Sequence, residues 1–352
     1  MVIRMEDRES ILKKMSLGDV LDYSIELYKS NFVQLTLLSL VGYMPIVLLS
    51  AYISGNLLAE QVNIFKGLFS NFGNPGFNPG ILNEGNLGST YMVYTMLSYV
   101  VQLLALVFSF TVQLAMEAAI IKIIYSHAVQ GTPAKAFPEF KAGFKKLGHM
   151  ILNKVVYWII IGSIYLVAVI LIALIMVAVI LALVGINGPG NNLSTPVIVT
   201  LVVLGILILL GIIFVTAFFA MRLLFGKHII VLENGDFGKS LSRSWHLTKG
   251  NFWHIALSLL IGAVLLYFLP VIFTASSFAL NAMGKGLFVL GFISSQVLSS
   301  LIYPFLWTII TVIFINLKIK KEGLDLEVKV DKLLAAQKSL KAPDETGETT
   351  DA

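Results

Sequence analysis

The sequence predicts an all-α protein, a polytopic membrane helix bundle of about six transmembrane helices in three hairpins, and three observations carry that reading. Hydrophobic residues make up 57% of the 352 and charged residues only 13%, with a mean hydropathy of +0.87. A soluble domain is nearer half apolar and a quarter charged. So few ionic groups cannot clothe a water-facing surface of this length, and lipid is the solvent that remains. Six runs, near 32–54, 91–117, 155–184, 197–221, 252–280 and 287–317, are predominantly apolar. Each reaches the roughly 20 residues needed to cross about 30 Å of hydrocarbon, and no amphipathic shell is present to cover them in water.

The third observation is the placement of charge. With the N-terminus inside, Arg4, Arg8, Lys13, Lys14 and Lys29 face the cytoplasm, as do Lys122, Lys135, Lys141, Lys145, Lys146 and Lys154 in the second connection. Arg222, Lys227, Lys239, Arg243 and Lys249 follow in the fourth connection, and every basic residue from Lys318 onward lies on the same side. Of 25 basic residues only Lys66 and Lys285 fall outside, the asymmetry that sets orientation in a cell membrane. Both termini are therefore expected in the cytoplasm. The net charge of +5 follows from this orientation and calls for no nucleic acid.

Taken in order, residues 1–31 read as a cytoplasmic N-terminal segment with an interfacial amphipathic helix. The segment is charged and lacks the apolar h-region of a cleaved signal. Residues 32–317 read as the six-span membrane domain. Residues 318–352 read as a cytoplasmic tail, helical to about Ser339 and disordered at the end. A Gly/Pro/Asn stretch, GINGPGNNLST, joins the third and fourth runs, and NAMGKG joins the fifth and sixth; both are too short for anything but antiparallel hairpins. The first pair is joined by a longer loop, 55–90, rich in Gly, Asn and Pro. Cysteine is absent, which removes disulfides, zinc-thiolate sites and cysteine nucleophiles.

An internal repeat emerges when LGDVLDYSIELYKSNF, from Leu17, is laid over FGKSLSRSWHLTKGNF, from Phe237. The two share Gly18/Gly238, Leu21/Leu241, Ser24/Ser244, Leu27/Leu247, Lys29/Lys249, Asn31/Asn251 and Phe32/Phe252. Both read as amphipathic helices leading into a span. In the first, Leu17, Val20, Leu21, Ser24, Leu27 and Tyr28 share a face, with Ser16 and Asp19 as a capping box. In the second, Asp236 is the cap and Phe237, Leu241, Trp245 and Thr248 are the stripe. A weaker third copy starts at Thr132 and Pro133 as N-cap and first-turn proline, with Phe137, Phe140, Phe144 and Leu147 as its stripe. Three units, each a cytoplasmic interfacial helix followed by a membrane hairpin, are expected. Aromatic stripes bordered by lysine suit the lipid headgroup boundary.

The stretch VLENGDFGKSLSRSWHLTKGNFWHIALSLLIG resembles the membrane domain associated with some bacterial glycerophosphoryl diester phosphodiesterases, and the related uncharacterised YciC-like family of six-span bacterial membrane proteins. The residues that carry the resemblance are Glu233, Leu241, Ser244, Trp245, Leu247, Lys249, Gly250, Phe252 and Trp253, and the N-terminal repeat copy looks like that family's opening segment. What the resemblance implies is a stand-alone membrane domain. The phosphodiesterase chemistry of that family belongs to a separate soluble barrel. Neither the 55–90 loop nor the tail, each about 35 residues, reaches the roughly 250 such a barrel needs.

Ionisable groups inside spans are functional candidates because burying one costs at least about 2.5–3.5 kcal/mol. Glu117 is foremost, with Gln113 and Lys122 beside it. Lys122 lies five residues on, about 7.5 Å along the axis, and about 140° round the helix, so the two do not pair. Glu117 then needs a partner from another helix, a wet crevice or a proton, and a structural role and a ligand or proton site both stay open. Gln102, Gln296 and Asn316 are expected to make interhelical hydrogen bonds. Arg222, Lys227, Arg243 and Lys249 are candidates for headgroup phosphate. The five histidines show no metal-binding spacing, so neither a metal nor a cofactor is expected. Pro45, Pro270 and Pro304 lie in spans, where they kink helices. The function expected is a non-enzymatic membrane scaffold or a lipid- or partner-contacting domain, with a small-solute or lipid transporter or export component as the alternative. Its partners are membrane lipids, with a protein partner or a second copy as the further class.

Overall fold

A computed structural model describes residues 14–71, 87–186 and 195–324 apart from 282, with four isolated positions up to 334. The Gly/Pro/Asn turn, the far half of the 55–90 loop and most of the tail lie outside them, as do Arg4, Arg8 and Lys13. Among the described residues all regular structure is α-helical: α1 (Leu17–Ser30), α2 (Phe32–Gly42), α3 (Met44–Asn71), α4 (Leu87–Phe110), α5 (Val112–Gln130), α6 (Ala136–Lys145), α7 (Leu147–Ile186), α8 (Thr195–Leu223), α9 (Gly226–Glu233), α10 (Phe237–Thr248), α11 (Phe252–Leu280) and α12 (Lys285–Glu322).

Among the described residues five paths are long and apolar enough to cross a bilayer: Ser89–Gln130, Leu147–Ala178, Val202–Glu233, Phe252–Leu280 and Lys285–Glu322. A sixth forms if α2 and α3, bent by 57°, are one broken span. The chain is a multi-pass helical membrane protein. Three boundaries differ from the sequence reading. The first run does not end at Ser54, because α3 continues to Asn71 and Gly55 lets the Phe292 ring lie against the helix backbone. The second run continues past Glu117 to Gln130, since Leu114–Ile121 is surrounded by protein and its polar groups find partners there. In the fourth connection a further helix, α9, stands ahead of the expected amphipathic helix α10.

By contacts the chain forms two units, 1–147 with 257–352, and 148–256. In the first, α5 and the second half of α12 are buried on nearly every side, the mark of central helices. They pack on each other, with α1, α2 and α3 against α12 and with α6 against α5. Gly143 of α6 makes the α6–α5 approach possible: a Cβ there would lie 2.7 Å from the carbonyl oxygen of Ala115. Met15 and Asn316 exchange two hydrogen bonds, from the Met15 amide to Oδ1 at 3.0 Å and from Nδ2 to the Met15 carbonyl at 3.3 Å. The N-terminal helix is thereby tied to the last span.

The capping box of α1 forms as its sequence predicts. Asp19 N–H donates to Ser16 Oγ at 3.3 Å, and the Asp19 carboxylate accepts from the Ser16 amide at 2.8 Å. The α1 stripe, however, is covered by protein: Val20, Tyr23, Ser24 and Leu27 are buried, and the Tyr28 hydroxyl donates to the Leu301 carbonyl at 3.0 Å. Helix α6 starts at Ala136 with Lys135 at the cap, so Thr132 and Pro133 are not its cap. They lie in the preceding turn, which is pinned by the Ala134 amide donating to Ser126 Oγ at 2.8 Å.

In the second unit α10 packs on α8 and α9. Asp236 holds the cap position of α10 without a side-chain capping bond, its carboxylate lying near His149 and Lys239 instead. The buried face of α10 is Ser240, Ser244, Leu247 and Thr248; of the expected stripe Thr248 lies on it, while Phe237, Leu241 and Trp245 lie beside it. Gly250, at φ +81°, makes the turn into α11, in a region where L side chains are strained. The side chains of the most apolar stretches of α7 and α8 are almost entirely uncovered by this chain.

Candidate functional site

Polar groups on two helices of the first unit converge where α5 meets α12. Glu117 on α5 is 1% exposed, and its Oε1 accepts from the Tyr303 hydroxyl of α12 at 2.9 Å and from Gln113 Nε2 at 3.1 Å. Gln113 Nε2 also lies 3.0 Å from the Tyr303 oxygen, which closes a three-membered cluster. The partner from another helix that Glu117 requires is Tyr303. Lys122 is not part of this cluster. It stands half-buried farther along α5; burial first, and then the Lys122 charge, hold the Lys146 ammonium below its ordinary value, with Glu139 partly opposing.

Tyr303 also lines a cavity of about 400 Å³. Its ring stacks on Tyr43 at 5.2 Å, nearly parallel, and Tyr43 occupies the break between α2 and α3. Opposite stand Tyr267, Pro270 and Thr274 of α11, with Gln296, Ser299 and Ser300 from α12. The sites of three helix irregularities meet here. Tyr43 is the bend itself. Pro270 removes the amide that would bond the Leu266 carbonyl, and Pro304 removes the one for Ser300; Leu266 and Ser300 both line the cavity. Discontinuous helices around a mid-membrane cavity are how transporters expose backbone and side-chain polar groups to a ligand.

The donors of this lining are largely occupied. Ser299 Oγ donates to the Ser295 carbonyl, Ser300 Oγ to the Val297 carbonyl and Thr274 Oγ1 to the Pro270 carbonyl, each at 2.8 Å. Their oxygens keep lone pairs. No Lys or Arg lines the cavity. Among the described residues no three His, Asp or Glu side chains come together as metal ligands would.

The basic candidates form a different structure, within the second unit. The Arg222 guanidinium lies 5.0 Å from the ring centres of both Phe218 and Trp245 and donates to the Trp245 carbonyl at 3.3 Å. Arg243 pairs with Glu233, Nη2 to Oε1 at 3.1 Å. Ser244 Oγ donates to the Arg222 carbonyl at 2.8 Å and accepts from the Phe225 amide at 3.2 Å. Phe252 opens α11 with its ring against Phe214, Phe218 and Trp253. Glu233, Ser244, Trp245, Gly250 and Phe252 thus form a junction between a span and the amphipathic helix docked on its end. Lys249 is exposed and Lys227 half-buried. Comparison with known protein families, with curated proteins and with solved structures returned no match.

Sequence reasoning missed Tyr43, Tyr267, Tyr303 and the serines of α12. The signal was present: Gln296, Ser299, Ser300 and Tyr303 recur at spacings of three and four, which places them on one helix face. It also missed Glu60, nearly buried on α3, which binds Lys285 Nζ at 2.5 Å, with that ammonium 5.3 Å from the Tyr94 ring centre. Glu60 fell in what reads as loop.

Proposed function

We propose that this protein is a non-enzymatic, ligand-handling membrane domain, of the kind a transporter or export component uses, with both termini cytoplasmic in a cell membrane. The observation that carries the reading is the Tyr303 cavity, with a buried carboxylate behind one wall and a broken helix or proline on each of three sides. Its volume falls in the range of about 300–1,000 Å³ usual for ligand sites. Carboxylates inside membrane spans commonly mark ion, proton or substrate paths. Native mass spectrometry of the protein purified from its membrane in mild detergent tests the reading. A small molecule or lipid retained by the wild type and lost from the cavity-filling variant Ser300→Phe supports it. Identical bound masses in both, with helical content unchanged, would contradict it.

A second reading, a lipid- or partner-contacting scaffold, is favoured by a separate observation. An apolar notch of about 160 Å³ lies between α2 and α6, lined by Leu37, Leu38, Val41, Gly42, Ala136, Phe137 and Phe140, and Phe137 is 70% exposed. Lys135 and Lys141 flank it in sequence, which suits an acyl chain beneath an anionic headgroup. Anionic phospholipid co-purifying with the wild type and reduced in Phe137→Ala would support this reading. The repeat of α1 in α10 agrees with a domain built from docked amphipathic helices: Ser24 and Ser244 are both fully buried, as are Leu27 and Leu247. The resemblance to the phosphodiesterase-associated membrane domain points the same way, toward a stand-alone membrane module.

A further inference from the structure

We propose that the Tyr303 cavity takes an organic ammonium, a primary amine carrying an apolar body, in preference to an anionic or neutral molecule of the same size. This inference rests on the ligand-handling reading of the cavity and adds the chemistry of what enters it.

Charge sign and hydrogen-bond direction favour a cation here. The hydroxyl protons of Ser299 and Thr274 are committed to their own helices and that of Ser300 to the Val297 carbonyl or the Met44 sulfur, so toward the cavity those oxygens act as acceptors. The Tyr303 proton is committed to Glu117. The carbonyls of Leu266 and Ser300, whose in-helix amides are replaced by prolines, add two acceptors on lining residues. An anion entering such a site meets the Tyr43 and Tyr267 hydroxyls and the Gln296 amide as donors but no basic side chain to balance its charge, which is costly in an apolar surrounding. An ammonium brings three donors to them. The charge around the site has the same sense. Glu117 stands directly behind Tyr303, and no Lys or Arg is on the wall. Three tyrosine rings, Tyr43, Tyr267 and Tyr303, are among the lining residues, and aromatic walls suit a desolvated cation. The rest of the lining, Val47, Leu266, Val271, Ile302 and Leu306, is apolar and suits a hydrocarbon or aromatic body. The amide of Gln296 serves either sign and does not decide.

The test uses the full chain in nanodiscs of phosphatidylcholine, so that the bilayer carries no net charge to gather cations. Benzylammonium, benzyl alcohol and benzoate, matched in size, are titrated by calorimetry at neutral pH. The expected result is benzylammonium binding at least tenfold tighter than either analogue. That binding weakens at least tenfold in Glu117→Gln and is lost in Thr274→Leu, which fills the cavity. If all three probes bind equally and Thr274→Leu removes them all, the cavity is a ligand site and the ammonium assignment is wrong. If Thr274→Leu changes nothing for any probe, both this inference and the reading beneath it fall. Should Glu117→Gln not fold, the charge series on the wild type alone decides the assignment.

Discussion

Asn316 illustrates what single side chains do in this protein. It is fully buried on the last span and satisfies both the amide and the carbonyl of Met15, just ahead of the first turn of α1. Replacing it by Leu leaves two backbone groups unpaired. The expected cost is about 1–3 kcal/mol, read as a lowered unfolding midpoint in detergent, whereas an unchanged midpoint would show that the N-terminal contact carries no stability. Tyr303→Phe removes a donor to a buried carboxylate and should lower stability within the same range of about 1–3 kcal/mol. Asp19 adds a pH-dependent case. Its bonds to the Ser16 amide and hydroxyl hold its carboxyl below the ordinary 3.8. A lowered folded-state value means that the stabilisation is fully present above the unfolded value and is lost as pH falls through the folded one. The stability difference between wild type and Asp19→Asn, followed by thermal melts, should therefore be constant from neutral pH down to about pH 5 and shrink below about pH 4.

At the scale of helices, close approach and burial decide what the sequence alone does not. Helix α6 meets α5 at Gly143, where there is no room for a methyl group, while Gly148, at the start of α7, would have nothing within 4 Å of an added Cβ. Gly143→Ala should cost about 1–3 kcal/mol through overpacking; Gly148→Ala should be neutral or stabilising by up to about 1 kcal/mol. Equal effects on the two melting curves would contradict the α5–α6 contact. The existence and approximate length of the spans were legible because apolar runs and lysine placement are one-dimensional signals. The capping box was equally legible, since Ser16 and Asp19 are three residues apart. The true ends of α3 and α5 were not, because polar residues such as Glu60 and Glu117 suggest an exit from lipid unless their partners, Lys285 and Tyr303, are known. Those partners lie 225 and 186 residues away. For the same reason the buried face of α10 lies beside its aromatic stripe: Ser244 is drawn inward by the Arg222 carbonyl and the Phe225 amide, which hydrophobicity does not weigh.

For the molecule as a whole, the amphipathic helices share a habit. Helix α6 docks on α5 and α10 on α8 and α9, each on an element before it in the chain, while α1 docks on α12. The cavity belongs to the unit in which α12 is central, where segments far apart in sequence supply Tyr43, Glu117, Tyr267 and Tyr303. A site assembled in this way leaves only fragments in each segment, which is why Glu117 was visible from the sequence and its surroundings were not. The central claim is that a polar, ligand-accessible cavity lies among the apolar helices of the first unit. The chain has no cysteine, so single-cysteine labelling in intact membranes tests that claim most directly. Ser299→Cys, on the cavity wall, should react with the membrane-impermeant reagent 2-(trimethylammonium)ethyl methanethiosulfonate at a rate well above that of Ile206→Cys, on the uncovered apolar surface of α8. A Ser299→Cys protein as unreactive as the Ile206→Cys protein would contradict the account.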